Sequence, residues 1–530
     1  MFLRTFLFGL GLLVAGMGYA QMPPYGGKLK PEQANIDVRH YTIDLALNIP
    51  DRSLAGYAIV KCNLKAPATG LLFDLMDSFR VSKVTVNGKP AEFTHEHHGL
   101  HITGSWPAGP AIVRVDYAGH PMIAKRPPWD DGFTFTHDST GHPWVAVTAE
   151  GTGGKLYFPA KDHPSDEPDE GVDLTIGVQK GLVVAGPGLL IEVNTGGGLS
   201  RYHWKTNYPI NNYSIVFNAG DYTVVNRSYT TVDGHTVPMQ FYVLKEHAAS
   251  APHLLEMMEH AAHIKEKYFG EYPWAKEKIG LVETPHLGME HQTMVAYGNK
   301  FHYTTVGGQD FDWLMNHEFG HEWWGNKVTA GDWADYWIHE GIGTFGDVLY
   351  TREMEGESAY ERYFQQVAPR IRNDKPIVLG KDIEEEEAYH PDIYPKGAFF
   401  MHTLRYVIGD SVFFPALKRL ATDSAITYTH TASTADVEQL FSKALGIDLA
   451  PLFHLFLYTT QKLEIEVRQT APGVYTIKLL NIDMPLPLEL TTDTGTSRQM
   501  VDNKKGVSLK STAMPLVDTR VFYLKKVIYE

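Results

Sequence analysis

His317-Glu318-Phe319-Gly320-His321, with Glu340 nineteen residues beyond His321, narrows what this chain can fold into more than any other stretch. On a helix, positions four apart lie one above the other on the same face, so both imidazoles can aim at one point. A carboxylate that joins them from so far along the chain has to arrive on a second helix packed against the first. Glu318 lies about 100° round the axis from His317. From there it can reach a water at the shared point without being a ligand. Two imidazoles, a distant carboxylate and a free glutamate make the donor set of a catalytic metal site, with a fourth position left for water. With 25 histidines in 530 residues, a bare H-E-x-x-H arises by chance in roughly one chain in a hundred. A glutamate at one specified later position makes coincidence about tenfold rarer. Zinc rather than cobalt or manganese is inferred from ligand type and availability.

A chain of 530 residues exceeds what one hydrophobic core supports, so about two to four domains are expected. Residues 1–20 read as a secretory signal: Arg4, an apolar run from Phe6 to Val14, and the small-x-small pattern Gly18-Tyr19-Ala20. The protein is therefore expected to be exported, to the periplasm or beyond. No later run approaches the length of a membrane span. Cys62 is the single cysteine, so no intramolecular disulfide can form, and it reads as an ordinary strand residue. Asp and Glu outnumber Lys and Arg by 62 to 47, which argues against a nucleic-acid partner.

Residues 21–227 read as a β-sandwich-like domain. Tyr41 to Leu47, Val81 to Val86 and Ile112 to Tyr117 alternate apolar and polar, and Asn87-Gly88 is a hairpin dipeptide. Glu150-Gly151-Thr152-Gly153-Gly154-Lys155 is not a phosphate loop, because Leu156 stands where a Ser or Thr is needed; it is expected to form a tight loop that projects Glu150. Residues 228–460 turn helical. Ser250 is expected to cap a helix with Pro252 in its first turn. The metal-site helix should begin near Asp310 or Asp312 and end by Gly325-Asn326, with Glu340 on the next one. Five acids between Asp382 and Glu387 read as a solvated face. Ser433 and Asp436 match a capping box. Period-two patterns return at Leu463 to Val467 and Tyr475 to Leu479, so residues 461–530 form a small C-terminal β domain.

The segment His317 to Thr329, continued by Trp337-Ile338-His339-Glu340-Gly341, resembles peptidase family M1, the zinc aminopeptidases of the aminopeptidase N and leukotriene hydrolase group. Gly288-Met289-Glu290-His291 looks like that family's G-x-M-E-N motif. Tyr394-Pro395-Lys396-Gly397 looks like its Y-x-K-G segment, and Glu150 stands where the family places a Gln or Glu. The resemblance implies a multidomain α+β fold with a thermolysin-like, mainly α catalytic domain. It also implies one zinc per chain held by His317, His321 and Glu340. Glu318 would be general base and then acid, and Tyr394 the donor to the oxyanion. Glu290 and Glu150, with Gly288, Met289 and His291, would bind peptide substrates with a free N-terminus. Tyr389 resembles a second tyrosine of some members, and a packing role is as open for it. Two departures stand out: His291 replaces Asn, which could change backbone-amide recognition or add a pH-dependent contact, and Lys155 replaces an Arg that bears on domain packing. Thr344 and Asp347 are both candidates to orient a zinc histidine. Two other readings remain: an endopeptidase or epoxide hydrolase on the same site, and a silent peptide-binding module.

Overall fold

The computed structural model describes residues 25–530; the expected signal segment lies outside them. Tyr41, Ile43, Leu45 and Leu47 all turn inward, as their period-two spacing demands. Their strand, Ile36–Asn48, lies in the middle of an eight-stranded sheet. It pairs antiparallel with Ser53–Leu64 and parallel with Val172–Gln179. A three-stranded sheet (Ala68–Asp74, Gly99–Trp106, Glu92–Glu96) and a four-stranded one (Val183–Ala185, Asn218–Gly220, Pro143–Thr148, Gly132–His137) complete this β-rich unit. Their buried residues, such as Phe73 and Val147, join the same apolar cluster as Ile43. Cys62 is buried on the strand Ser53–Leu64, where burial pushes its thiol up to about 12.

The middle unit opens with a five-stranded mixed sheet, in the order Tyr222–Thr230, Thr236–Leu244, Ile279–Glu283, Val295–Tyr297 and Gly288–Met289. Its first strand runs across the expected boundary at 227/228. Four helices then matter to the site: α1 (Ala251–Phe269), α2 (Trp313–Gly320), α3 (Trp337–Glu355) and α4 (Pro395–Ile408). α1 starts after Ser250 with a proline in its first turn, but the Ser250 side chain makes no capping bond; its backbone is already helical, so the hydroxyl cannot reach forward. The capping box of Ser433 and Asp436 forms on the helix Thr434–Leu445. α3 and α4 cross with backbone in contact. A Cβ on Gly341 would lie 2.7 Å from the Cα of Gly397, so only glycine allows this approach. The crossing brings Tyr394, at the head of α4, beside the turn of α3 that carries Glu340.

The C-terminal unit holds a four-stranded sheet (Val507–Lys510, Val474–Leu479, Leu463–Ala471, Lys525–Tyr529) and a three-stranded one (Gly495–Val501, Leu486–Thr492, Leu516–Val517). Among the described residues, no helix is long and apolar enough to cross a membrane. The order of the three units, β-rich, mainly helical, β, is the α+β architecture expected.

Candidate metal centre

α2 is short. Asp312 caps it, accepting from the Met315 backbone N–H at 3.0 Å, and is itself held by the Tyr297 hydroxyl at 2.7 Å. It ends at Gly320, five residues before the expected glycine stop. His321 keeps helical angles (φ −68°, ψ −13°), so the i, i+4 register with His317 survives. Beyond it the chain folds back on itself, with Asn326 N–H donating to the His321 carbonyl at 3.0 Å and Gly325 at φ +128°.

The three expected ligands converge. His317 Nε2 and His321 Nε2 lie 3.3 Å apart, and each is 3.5 Å from Glu340 Oε2. The outer nitrogens are already spoken for: His317 Nδ1 donates to Asp347 Oδ2 at 2.7 Å, and His321 Nδ1 to the Trp324 carbonyl at 2.8 Å. These bonds put the protons outside and the lone pairs inside. Glu340 Oε2 is buried with no donor. A buried carboxylate oxygen facing two imidazole nitrogens offers a cation three lone pairs at one point. The residues fit a divalent metal. A second group, Asp138, His142 and Asp221, fits one poorly, because Lys245 Nζ already sits 2.5 Å from Asp221 Oδ1.

A cavity of about 720 Å³ opens on this centre. Gly288, Met289, Glu290, Glu318, Glu150 and Tyr394 line it beside the three ligands, and so do Thr344, Asp347 and Tyr389. Glu318 is held close to Gly288, where a Cβ would stand 2.7 Å from its Oε1. Burial pushes Glu318 well above the usual carboxylate range; His317 pulls it back, and Glu290 and Glu340 add to the rise. Burial, then Glu290 and Glu340, does the same to Glu150. Glu290 is buried, and its Oε1 has no donor. Burial, reinforced by Glu340 and Glu150, lifts the Tyr394 hydroxyl well above its ordinary value, so it stays a donor at neutral pH. The cavity thus gathers several carboxyl groups, and burial beside one another makes Glu318 and Glu150 hold their protons more tightly.

Three expectations need correction. His291 does not line the cavity: it is fully buried, turned to the Ala149 carbonyl at 3.2 Å, and burial pushes it down to about 4, so it adds no contact that titrates near neutrality. The acidic run is not simply a solvated face, since Glu384, Glu385 and Glu386 line the cavity and burial lifts Glu385 to about 7. Of the two candidates to orient a histidine, Asp347 does so and Thr344 does not. Lys155 is buried in the N-terminal unit, 3.3 Å from Asp162.

Several supporting groups carry no sequence signal. The Tyr336 hydroxyl donates to Glu150 Oε1. Asp131 accepts from the N–H of Glu150 at 3.0 Å and from that of Thr152. Asn326 Nδ2 donates to the Glu290 carbonyl at 2.7 Å. Glu322, one residue past the motif, takes Trp274 Nε1 at 2.6 Å and Thr293 N–H at 3.0 Å, tying α2 to the turn that carries Glu290.

Residues 254–456 match the model of the Peptidase family M1 domain. The leucyl aminopeptidase of Saccharolobus solfataricus is 21% identical over 443 residues, 79% of this chain and 53% of that protein. Aminopeptidase N of Escherichia coli is 25% identical over 229 residues, 40% of this chain and 26% of that one. Leukotriene A-4 hydrolase of Xenopus laevis is 25% identical over 366 residues, 63% and 54% respectively. The chain spans about half the length, or less, of these relatives. Among solved structures, the M1 zinc metallopeptidase from Deinococcus radiodurans superposes with a TM-score of 0.68 at 22% identity, over 82% of this chain and 96% of that one. The fold is shared with it over that part of the chain, and the resemblance to family M1 is borne out.

Proposed function

We propose that this chain, which carries a peptidase family M1 domain, is an exported zinc aminopeptidase that releases single residues from the N-terminus of peptides. The observation that carries the reading is one cavity lined by the metal triad, by Glu318 and by a separate pair of carboxylates, Glu150 and Glu290. His317, His321 and Glu340 would hold one zinc ion, which supplies a Lewis acid and acidifies a water.

The remaining work falls to the chain's own side chains. Glu318 accepts a proton from the water as its oxygen bonds to the scissile carbonyl carbon. The same carboxyl then hands that proton to the departing amine as the C–N bond breaks. Tyr394 O–H donates to the developing oxyanion. Glu290 and Glu150 grip the substrate's α-ammonium by charge-assisted hydrogen bonds, with Tyr336 holding Glu150 in place. That grip measures a single residue from the chain end to the metal. Leucyl aminopeptidase and aminopeptidase N among the relatives support the reading.

The test is a panel of residue amides with a free amine beside their N-acetylated twins, with and without a chelator. Aminopeptidase action predicts turnover of the free-amine set, its loss with the chelator, and loss of nearly all activity on the acetylated set. Equal turnover of both sets would identify an endopeptidase and sink the proposal. Export rests on the signal pattern of residues 1–20. It predicts that the mature protein, recovered from its host and weighed by mass spectrometry, lacks that segment; an intact N-terminus would refute it.

A further inference from the structure

His291 follows Glu290 directly, and Ala149 precedes Glu150 directly. The ring reaches across from one segment to the other, placing Nε2 3.2 Å from the Ala149 carbonyl oxygen. A carbonyl only accepts, so the ring donates from Nε2 and leaves Nδ1 bare, buried and without a partner. His286, another buried imidazole, is pushed down to about 3 by burial and by His291, so the pair stays neutral. Each segment has its own anchor: Asp131 holds Glu150 and Thr152, and Asn326 holds the Glu290 carbonyl. Among the described residues, the His291–Ala149 bond is the hydrogen bond that joins residues 149–152 to residues 288–293.

Those segments come from different units of the fold, and each presents a carboxylate to the cavity. Two like charges in a buried site repel. Charge-assisted hydrogen bonds hold only near 2.7–2.9 Å, so carboxylates that drift apart stop sharing one ammonium. We infer that His291 is a positioning residue for recognition of the substrate's ammonium, its Nε2–H setting the separation of Glu150 and Glu290. The inference rests on the aminopeptidase reading. Asparagine, the residue of the G-x-M-E-N pattern, is too short to span this gap from the same backbone position.

The experiment compares two inhibitors on the zinc-loaded full chain: leucine hydroxamate and 4-methylpentanohydroxamate, the same skeleton without the α-amine. Both engage the metal through the hydroxamate, so the ratio of their inhibition constants reads the ammonium grip alone. The wild type should favour the amine by on the order of a hundredfold, the worth of two charged hydrogen bonds. His291→Phe, which keeps the ring but loses the donor, should cut that ratio about tenfold while leaving the des-amino constant in place. His291→Met is a second donor-free variant should the phenylalanine not be accommodated. His291→Gln, whose longer amide can donate across the gap, should restore most of the ratio. An unchanged ratio in the donor-free variants would overturn the inference and leave the aminopeptidase reading standing. A loss that glutamine fails to repair would assign the effect to ring volume and overturn it too. A wild type with no preference for the amine would refute the aminopeptidase reading itself, and the role of His291 with it.

Discussion

Replacing Asp347 by asparagine tests the metal centre at one remove from its ligands. Asp347 Oδ2 accepts from His317 Nδ1 at 2.7 Å, and Oδ1 accepts from Asn316 Nδ2 at 2.6 Å. Lys265 Nζ lies 3.8 Å from the same Oδ1. These two donors require an oxygen on that side, so the asparagine would turn its NH₂ toward His317. The ring would then have to accept at Nδ1 and carry its proton on Nε2, the nitrogen that faces the metal. Restoring the correct tautomer means flipping the amide against Asn316 and Lys265. A hydrogen bond to a charged group contributes about 1.5–3 kcal/mol, and loss of such an outer partner typically costs about 10–100-fold in metal affinity. Asp347→Asn should therefore bind zinc roughly 10–100-fold more weakly, about 1.4–2.8 kcal/mol. Competition against a chelator of known affinity measures this, with circular dichroism to check the fold. Affinity within about twofold of wild type, in a folded protein, would show that this bond does not set the ring's tautomer.

Glu318→Gln should keep its zinc, measured by metal analysis, yet lose about 10²–10⁴ or more in kcat, since the amide cannot carry the proton; an active variant would remove Glu318 from the role of base. Glu167, which does not line the cavity, offers a stability test. Burial lifts its carboxyl from 4.5 to about 8. A carboxyl raised on folding contributes its full stability below its unfolded pKa and loses it as pH climbs through the folded one, so the loss grows from about pH 4.5 to 8. By pH 7 that loss is on the order of 3 kcal/mol. Glu167→Gln should thus gain more in Tm over wild type at pH 8 than at pH 5; equal differences at the two pH values would show that Glu167 is not held neutral.

Features that depend on neighbours along the chain were legible beforehand. The alternation from Tyr41 to Leu47 has one buried face because the strand period is two. Asp312 caps α2 and Ser433 with Asp436 forms its box because both interactions close within three residues. Ser250 failed as a cap although its residue type was right. A cap needs extended backbone angles, and the preceding turn had already set helical ones.

The site divides along the same line. His317 and His321 share a face by helix geometry alone, and the outlying Glu340 needs only a second helix, so the metal triad could be read from spacing. Which group orients His317 could not, because Asp347 and Thr344 both lie about one or two turns beyond Glu340, and the choice depends on how α2 and α3 pack. The bond from Tyr336 to Glu150 spans 186 positions, and that from His291 to Ala149 spans 142. No local pattern encodes a partner that far away. Sequence determined the donor atoms, the strand and helix periods and the surplus of acid. Tertiary packing decided which of those acids share a cavity, which stay paired with backbone, and that His291 faces inward to the wall, because burial and long-range hydrogen bonds exist only once separate units have docked.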